Sequence, residues 1–321
     1  MRQIFYTTAI MICLMSVPVS SQAKEFTFDF QRVVETTGEA TLDLTYLNGD
    51  LRITGNDYGK IIISAVKRIH AVSMNEAEEI QAHIEIRVRQ SGDKVTVGGN
   101  FLKMRDRSPS FWSKFFGLGG SDVVGGIDWD ISVPEECNIL VSNSSGKVEI
   151  SHVRGNTTVR SLASDITLSS IEGNILVYNS AGITRGDLLF GDIEVRQPQG
   201  EIDLKWVEGD VRIKSSSARI SITQERGTID LTTSTGSVDI KTTLDSSRDI
   251  YVVTQSGNIN LKIPLESSGA LDIFSETGNI SSEIPIAIKS VARGRVAGQF
   301  GIGGVKIALS SVSGDVTVAQ Y

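Results

Sequence analysis

Chemically reactive side chains are scarce in this chain, whose 321 residues contain three histidines and two cysteines. His70, His83 and His152 belong to no Ser/His/Asp or Cys/His arrangement, which removes the usual general base of nucleophilic catalysis. His152, in Ile150-Ser-His-Val-Arg-Gly155, reads as a turn-facing polar residue. No glycine loop of the phosphate-cradling kind and no zinc-ligand spacing is present, so no cofactor and no metal is expected. Basic residues are dispersed and the net charge is −7, which excludes a nucleic-acid partner. No apolar run reaches the roughly 20 residues of a membrane span, so the mature chain is expected to carry no transmembrane anchor.

The N-terminus has one positive charge, an apolar stretch through Ala9-Ile-Met-Ile-Cys-Leu-Met15, and small residues at Ser21 and Ala23. Residues 1–23 are therefore read as a cleaved secretory signal peptide, which places the protein in the periplasm or outside the cell. Cleavage before Lys24 removes Cys13 and leaves Cys137 alone, a structural thiol at a strand entrance with no disulfide partner. Lacking a membrane anchor of its own, the mature chain would need a partner for surface display.

What the chain has instead is repetition. From Gly146 to Gly236 a small residue recurs every nine positions, nine times glycine and twice Ser164 or Ala218. In nine of these eleven repeats the second and fourth following residues are aliphatic, as in Gly209-Asp-Val-Arg-Ile213. Each unit is a turn followed by a short strand with two inward side chains. Flanking residues alternate in type between successive markers, which predicts an 18-residue coil with two strands, one per face. Markers at Gly257 and Gly278 predict that the coil then lengthens to 21 residues. The fold class is thus all-β, a parallel β-solenoid with about 18–21 residues per coil.

Residues 24–126 read as a region capping the solenoid, and 127–321 as the solenoid itself. Within the cap, Ser73-Met-Asn-Glu76 matches a capping box and predicts one short helix near 74–83. Residues 101–126 are irregular and concentrate Phe101, Phe111, Trp112, Phe115 and Phe116 in a chain with 6% aromatics. This segment is expected either to plug the solenoid or, through Phe111, Trp112, Phe115 and Phe116, to contact a partner.

Stacking converts spacing into columns. Asn156, Asn174, Asp192, Asp210 and Thr228 should form an outer ladder in which side chains cap the turns. Asp192 and Asp210 would sit about 5 Å apart and share a cation or stay solvated, yet the Gly-Gly-x-Gly-x-Asp of calcium-binding nonapeptides is absent. Glu194, Arg212 and Asp230 should form a column of alternating sign. Asp128 and Asp130 share a strand face and are the nearest approach to a carboxylate pair.

Leu47-Asn-Gly-Asp-Leu-Arg-Ile-Thr-Gly-Asn-Asp57, the Glu-rich stretch at 74–83, Trp129-Asp-Ile-Ser-Val-Pro134 and Val141-Ser-Asn-Ser-Ser-Gly-Lys-Val-Glu-Ile150 together resemble the DUF4097 family of bacterial candidate adhesins, relatives of head-domain adhesins. The resemblance implies an exported β-solenoid and brings no catalytic residues. The expected function is a non-enzymatic adhesin or envelope-interaction protein, with an envelope or cell-surface protein or glycan as partner. Two alternatives stand beside it. One is a polysaccharide-processing β-helix using Asp128, Asp130, Asp192 and Asp210, and the other is a passive periplasmic scaffold.

Overall fold

Alternation of inward aliphatic and outward polar residues builds nearly every element. In Ile193-Glu-Val-Arg196, for example, Ile193 and Val195 are buried while the two charged residues face out. The computed structural model describes residues 23–101, 125–244 and 248–321. The proposed signal peptide up to residue 22, and Phe111, Trp112, Phe115 and Phe116, lie outside the described residues.

The chain opens with β1 (Lys24–Glu35), β2 (Ala40–Leu47), β3 (Leu51–Asn56) and β4 (Lys60–Ala71), the helix α1 (Met74–Ala82), β5 (Ile84–Ser91) and β6 (Lys94–Phe101). After β7 (Gly125–Pro134), the long β8 (Cys137–Arg154) and β9 (Thr157–Glu172) each turn a corner and serve both faces. Later coils use one strand per face: β10 (Ile175–Ala181) with β11 (Ile183–Phe190), β12 (Ile193–Arg196) with β13 (Glu201–Glu208), and β14 (Val211–Lys214) with β15 (Arg219–Arg226). They continue as β16 (Ile229–Thr232) with β17 (Val238–Thr242), and β18 (Ile250–Thr254) with β19 (Ile259–Ile263). Last come β20 (Gly269–Ser275), β21 (Ile280–Ser282), β22 (Ala287–Ala292), β23 (Arg295–Phe300), β24 (Val305–Ser311) and β25 (Val316–Gln320).

The fold is the expected parallel β-solenoid. Ile175, Ile193, Val211 and Ile229 lie side by side in register, an 18-residue coil, and the next step from Ile229 to Ile250 spans 21. The two faces pack their aliphatic side chains against each other along the whole axis. Three positions before one set of turn markers the inward residue is polar, as at Asn143, Ser161, Asn179, Gln197, Thr254 and Ser311. Several of these side chains bond turn backbone that would otherwise be buried unpaired: Asn179 Nδ2 donates to Ser164 O at 2.9 Å and Gln197 Nε2 to Gly182 O at 2.9 Å.

At both ends the spatial order of coils departs from chain order. β2 and β3, in the region expected to cap the stack, are themselves a coil of it, held between β8 on one side and β6 with β7 on the other. At the far end β24 lies between β18 and β20, and β25 between β19 and β21. Stacking of Gly278 directly on Gly257 is therefore overturned, because Gly314 intervenes: it packs against the Gly257 carbonyl, and Gly278 packs against the Gly314 carbonyl. Every coil presents the same turn and the same alternation, so spacing by itself does not specify which coils are neighbours.

Antiparallel strands close the stack. β1, β4 and β7 extend one face, β5 and β6 the other, and β20, β23 and β22 run together at the opposite end. α1 follows the capping box: Ser73 Oγ accepts from Glu76 N at 3.3 Å, and the Glu76 carboxylate accepts from Val72 N at 3.1 Å. Its buried residues Ala77 and Ile80 cover the core at the first end, while Ile284 and Phe300 are buried at the second.

Cys137 is buried, and desolvation pushes its thiol up to about 12. A thiol reagent at pH 8 is expected to leave native Cys137 unlabelled and to label it fully in denaturant. Because the folded state favours the neutral thiol, its contribution is complete below the unfolded pKa of about 8.5 and is lost as pH rises from there towards 12. Stoichiometric native labelling at pH 8 would show that the strand entrance opens.

Candidate binding surface

Three of the four acids named from sequence, Asp128, Asp192 and Asp210, accept hydrogen bonds from their neighbours. Asp128 Oδ1 accepts from Arg68 Nη2 at 2.7 Å and from the Asp50 amide at 3.3 Å. Asp130 lies opposite Arg52, which bonds Glu149 at 2.9 Å. Asp128, Asp130, Arg52 and Glu149 line an open groove of about 430 Å3, across which Asp130, Arg52 and Glu149 alternate in sign from β7 to β3 to β8. Lys147 and Arg52 hold Glu149 below the usual carboxylate range, the opposite of what a general acid needs.

The outer ladder is present as expected. Asn174 N donates to Asn156 Oδ1 at 3.3 Å, Asp210 N to Asp192 Oδ1 at 3.2 Å and Thr228 N to Asp210 Oδ1 at 2.9 Å. Asn156, Asp192 and Asp210 thus each cap the turn of the next coil, and Arg248 Nη1 reaches Asp210 Oδ1 at 3.0 Å. Among the described residues no group of three or more His, Cys, Asp or Glu could hold a metal ion. In the neighbouring column Arg212 pairs with Asp230 at 3.4 Å, whereas Glu194 turns along its own strand to Arg196. Arg196 and Arg160 also flank the Tyr178 ring at 5.2 and 5.4 Å from its centroid.

A different column was not foreseen. His152, Ser170, Leu188 and Trp206 have φ between 53° and 57°, and they recur at the coil length of 18. At each, two consecutive residues face outward before Val153, Ile171, Leu189 or Val207 turns back into the core. The left-handed conformation costs an L-residue roughly 1–2 kcal/mol, and Gly, Asn or Asp bear it best. Leu188 and Trp206 are poor choices for it and are nevertheless 42% and 53% exposed, beside Phe190 at 40%. In line with them Glu135, His152, Arg154, Ser170, Glu172 and Phe190 line a shallow cleft of about 180 Å3. Arg154 pairs with Glu135, and Arg226 with Glu208 at 2.9 Å. The legible signal was a doubled outward residue three positions before every second marker, as in Leu204-Lys-Trp-Val207.

A parallel β-solenoid with closed ends, coils braced by internal polar rungs and an exposed apolar ridge along one corner defines a class of repeat proteins that offer fixed surfaces. Residues 58–319 match the Toastrack DUF4097 family, and the chain belongs to that family. No curated protein matches it. Solved structures similar to it include a candidate adhesin from Parabacteroides distasonis ATCC 8503, 9% identical over 92% of this chain and 97% of that one, with a TM-score of 0.36. A candidate lipid-binding protein from the same strain is 10% identical over 90% and 96%, with a TM-score of 0.36. A candidate cell adhesion protein from Clostridium sporogenes ATCC 15579 is 11% identical over 92% and 100%, with a TM-score of 0.26.

Proposed function

We propose that this protein is an exported, non-enzymatic solenoid that binds a component of the cell envelope or cell surface. The observation that carries the reading is the pair Leu188 and Trp206, bulky apolar side chains held outward in a conformation that disfavours them. Each leaves about half of its surface in water there, and that exposed apolar part is free for contact with a partner. The apolar stretch before Ala23 supports export, and no helix among the described residues is long and apolar enough to cross a membrane. A rigid rod suits a binder because its columns hold side chains at fixed spacing without loop ordering on binding.

The test is fractionation of cells expressing the native gene, followed with an antibody raised against the purified protein. Recovery of a species lacking residues 1–23 from the periplasm or cell surface, associated with envelope material, is the expected result. Retention in the cytoplasm at full length would overturn the proposal. Protease added to intact cells then separates surface display, where the band is lost, from a periplasmic location, where it is protected.

A further inference from the structure

We infer that the ridge from His152 to Trp206 is a binding track for a linear polysaccharide, an inference that rests on the binding role proposed above. Four coils contribute one position each, so the track is about 14 Å long at the strand spacing of 4.7–4.9 Å. Its two halves differ in chemistry. At the Trp206 end, Leu188, Phe190 and Trp206 expose apolar surface on adjacent coils. At the His152 end, the cleft offers the imidazole, Ser170, Arg154 and the Glu172 carboxylate, with Phe190 as the wall shared by both halves.

A pyranose chain matches this division. Each ring has a C–H face that stacks on an aromatic plane and a rim of hydroxyls that donate to carboxylates and accept from guanidinium and imidazole groups. Its units advance by nearly one coil, so successive rings meet successive levels of the stack. The cleft of about 180 Å3 is smaller than the 300 Å3 or more of sites for drug-sized ligands, and it is open along the ridge, as a polymer requires.

Other occupants fit less well. An extended peptide advances about 3.3 Å per residue and repeats its side chains on one face at about twice that distance, out of step with the coils. It would also need a free strand edge, and over the track β9, β11 and β13 are paired on both sides. A bilayer surface is disfavoured because Glu172 and the Glu208–Arg226 ion pair stand on either side of Phe190, and burying its ring in a membrane would strip water from these charges.

The experiment uses the mature protein with three probes: isothermal titration with chitohexaose and with cellohexaose, and co-sedimentation with purified peptidoglycan sacculi. Saturable binding to at least one is expected. Trp206→Ala and Leu188→Asn should each weaken it about tenfold or more, the loss of one anchor, while both keep the native circular dichroism spectrum. Leu188→Asn is the control for folding, because Asn accepts the left-handed conformation. Binding that both variants retain would overturn the ridge as the site while leaving an envelope binder. Failure of the unmodified protein to bind any of the three would overturn the polysaccharide assignment, and fractionation would then decide separately whether the envelope reading survives.

Discussion

Deletion of residues 305–321 is expected to unfold the C-terminal end of the solenoid, where a stack in simple chain order would lose one terminal coil. β24 and β25 form parallel ladders on both sides, against β18 and β19 and against β20 and β21. Val305, Ile307, Leu309, Val316 and Val318 are each at most 1% exposed. At about 1.5–3 kcal/mol for each buried aliphatic side chain, the deletion removes on the order of 10 kcal/mol, comparable to the whole stability of a typical domain. It also opens two facing strand edges, frees the Gly257 carbonyl that Ser311 Oγ reaches at 3.1 Å, and takes from Ser275 Oγ the Gly314 carbonyl to which it donates at 2.9 Å. Limited proteolysis with mass spectrometry should show new cleavage between residues 264 and 304. A truncated protein as resistant as the full chain would mean that Gly278 can stack directly on Gly257, so that the 21-residue register is an acceptable substitute.

Gly200→Ala is the second large effect. Gly200 has φ of +107°, and an added Cβ would stand 1.9 Å from the Gly182 carbonyl oxygen of the coil below. Left-handed strain and a clash with backbone that stacking holds in place add to about 3 kcal/mol or more. Gly92→Ala is the comparison, since Gly92 also has positive φ, +61°, but nothing lies within 4 Å of the added atom. It should cost only about 1 kcal/mol. Chemical denaturation followed by circular dichroism distinguishes the two, and equal costs would show that the coils relax apart to admit a methyl group. In a quasi-one-dimensional stack the damage at Gly200 is expected to remain near its own coils, so hydrogen exchange should rise there first.

Much of the architecture was legible because it is local and repeated. Ser73 and Glu76 announced the helix, since a capping box is satisfied within four residues. Asn156, Asn174, Asp192, Asp210 and Thr228 became a ladder because an 18-residue coil places them at one height above another, and a short polar side chain there reaches the next turn's N–H. The acids at 128 and 130 were visible as a pair, but the ion pair of Asp128 with Arg68 and the placing of Arg52 opposite Asp130 depend on β4 and β3, which lie far away in sequence.

The sequence by itself determined the period, the two-stranded coil, the inward and outward faces and the helix α1, because turn chemistry and side-chain alternation act over a few residues and repeat. Only the tertiary structure decided which coils are neighbours. Parallel pairing between near-identical units is degenerate, and long-range closure at the ends placed 40–56 and 305–320 inside the stack. The ridge was decided there too. Where a strand bulges is set by its fit to the coils on either side, and this carries Leu188 and Trp206 into left-handed, outward positions until the register shifts between β13 and β15.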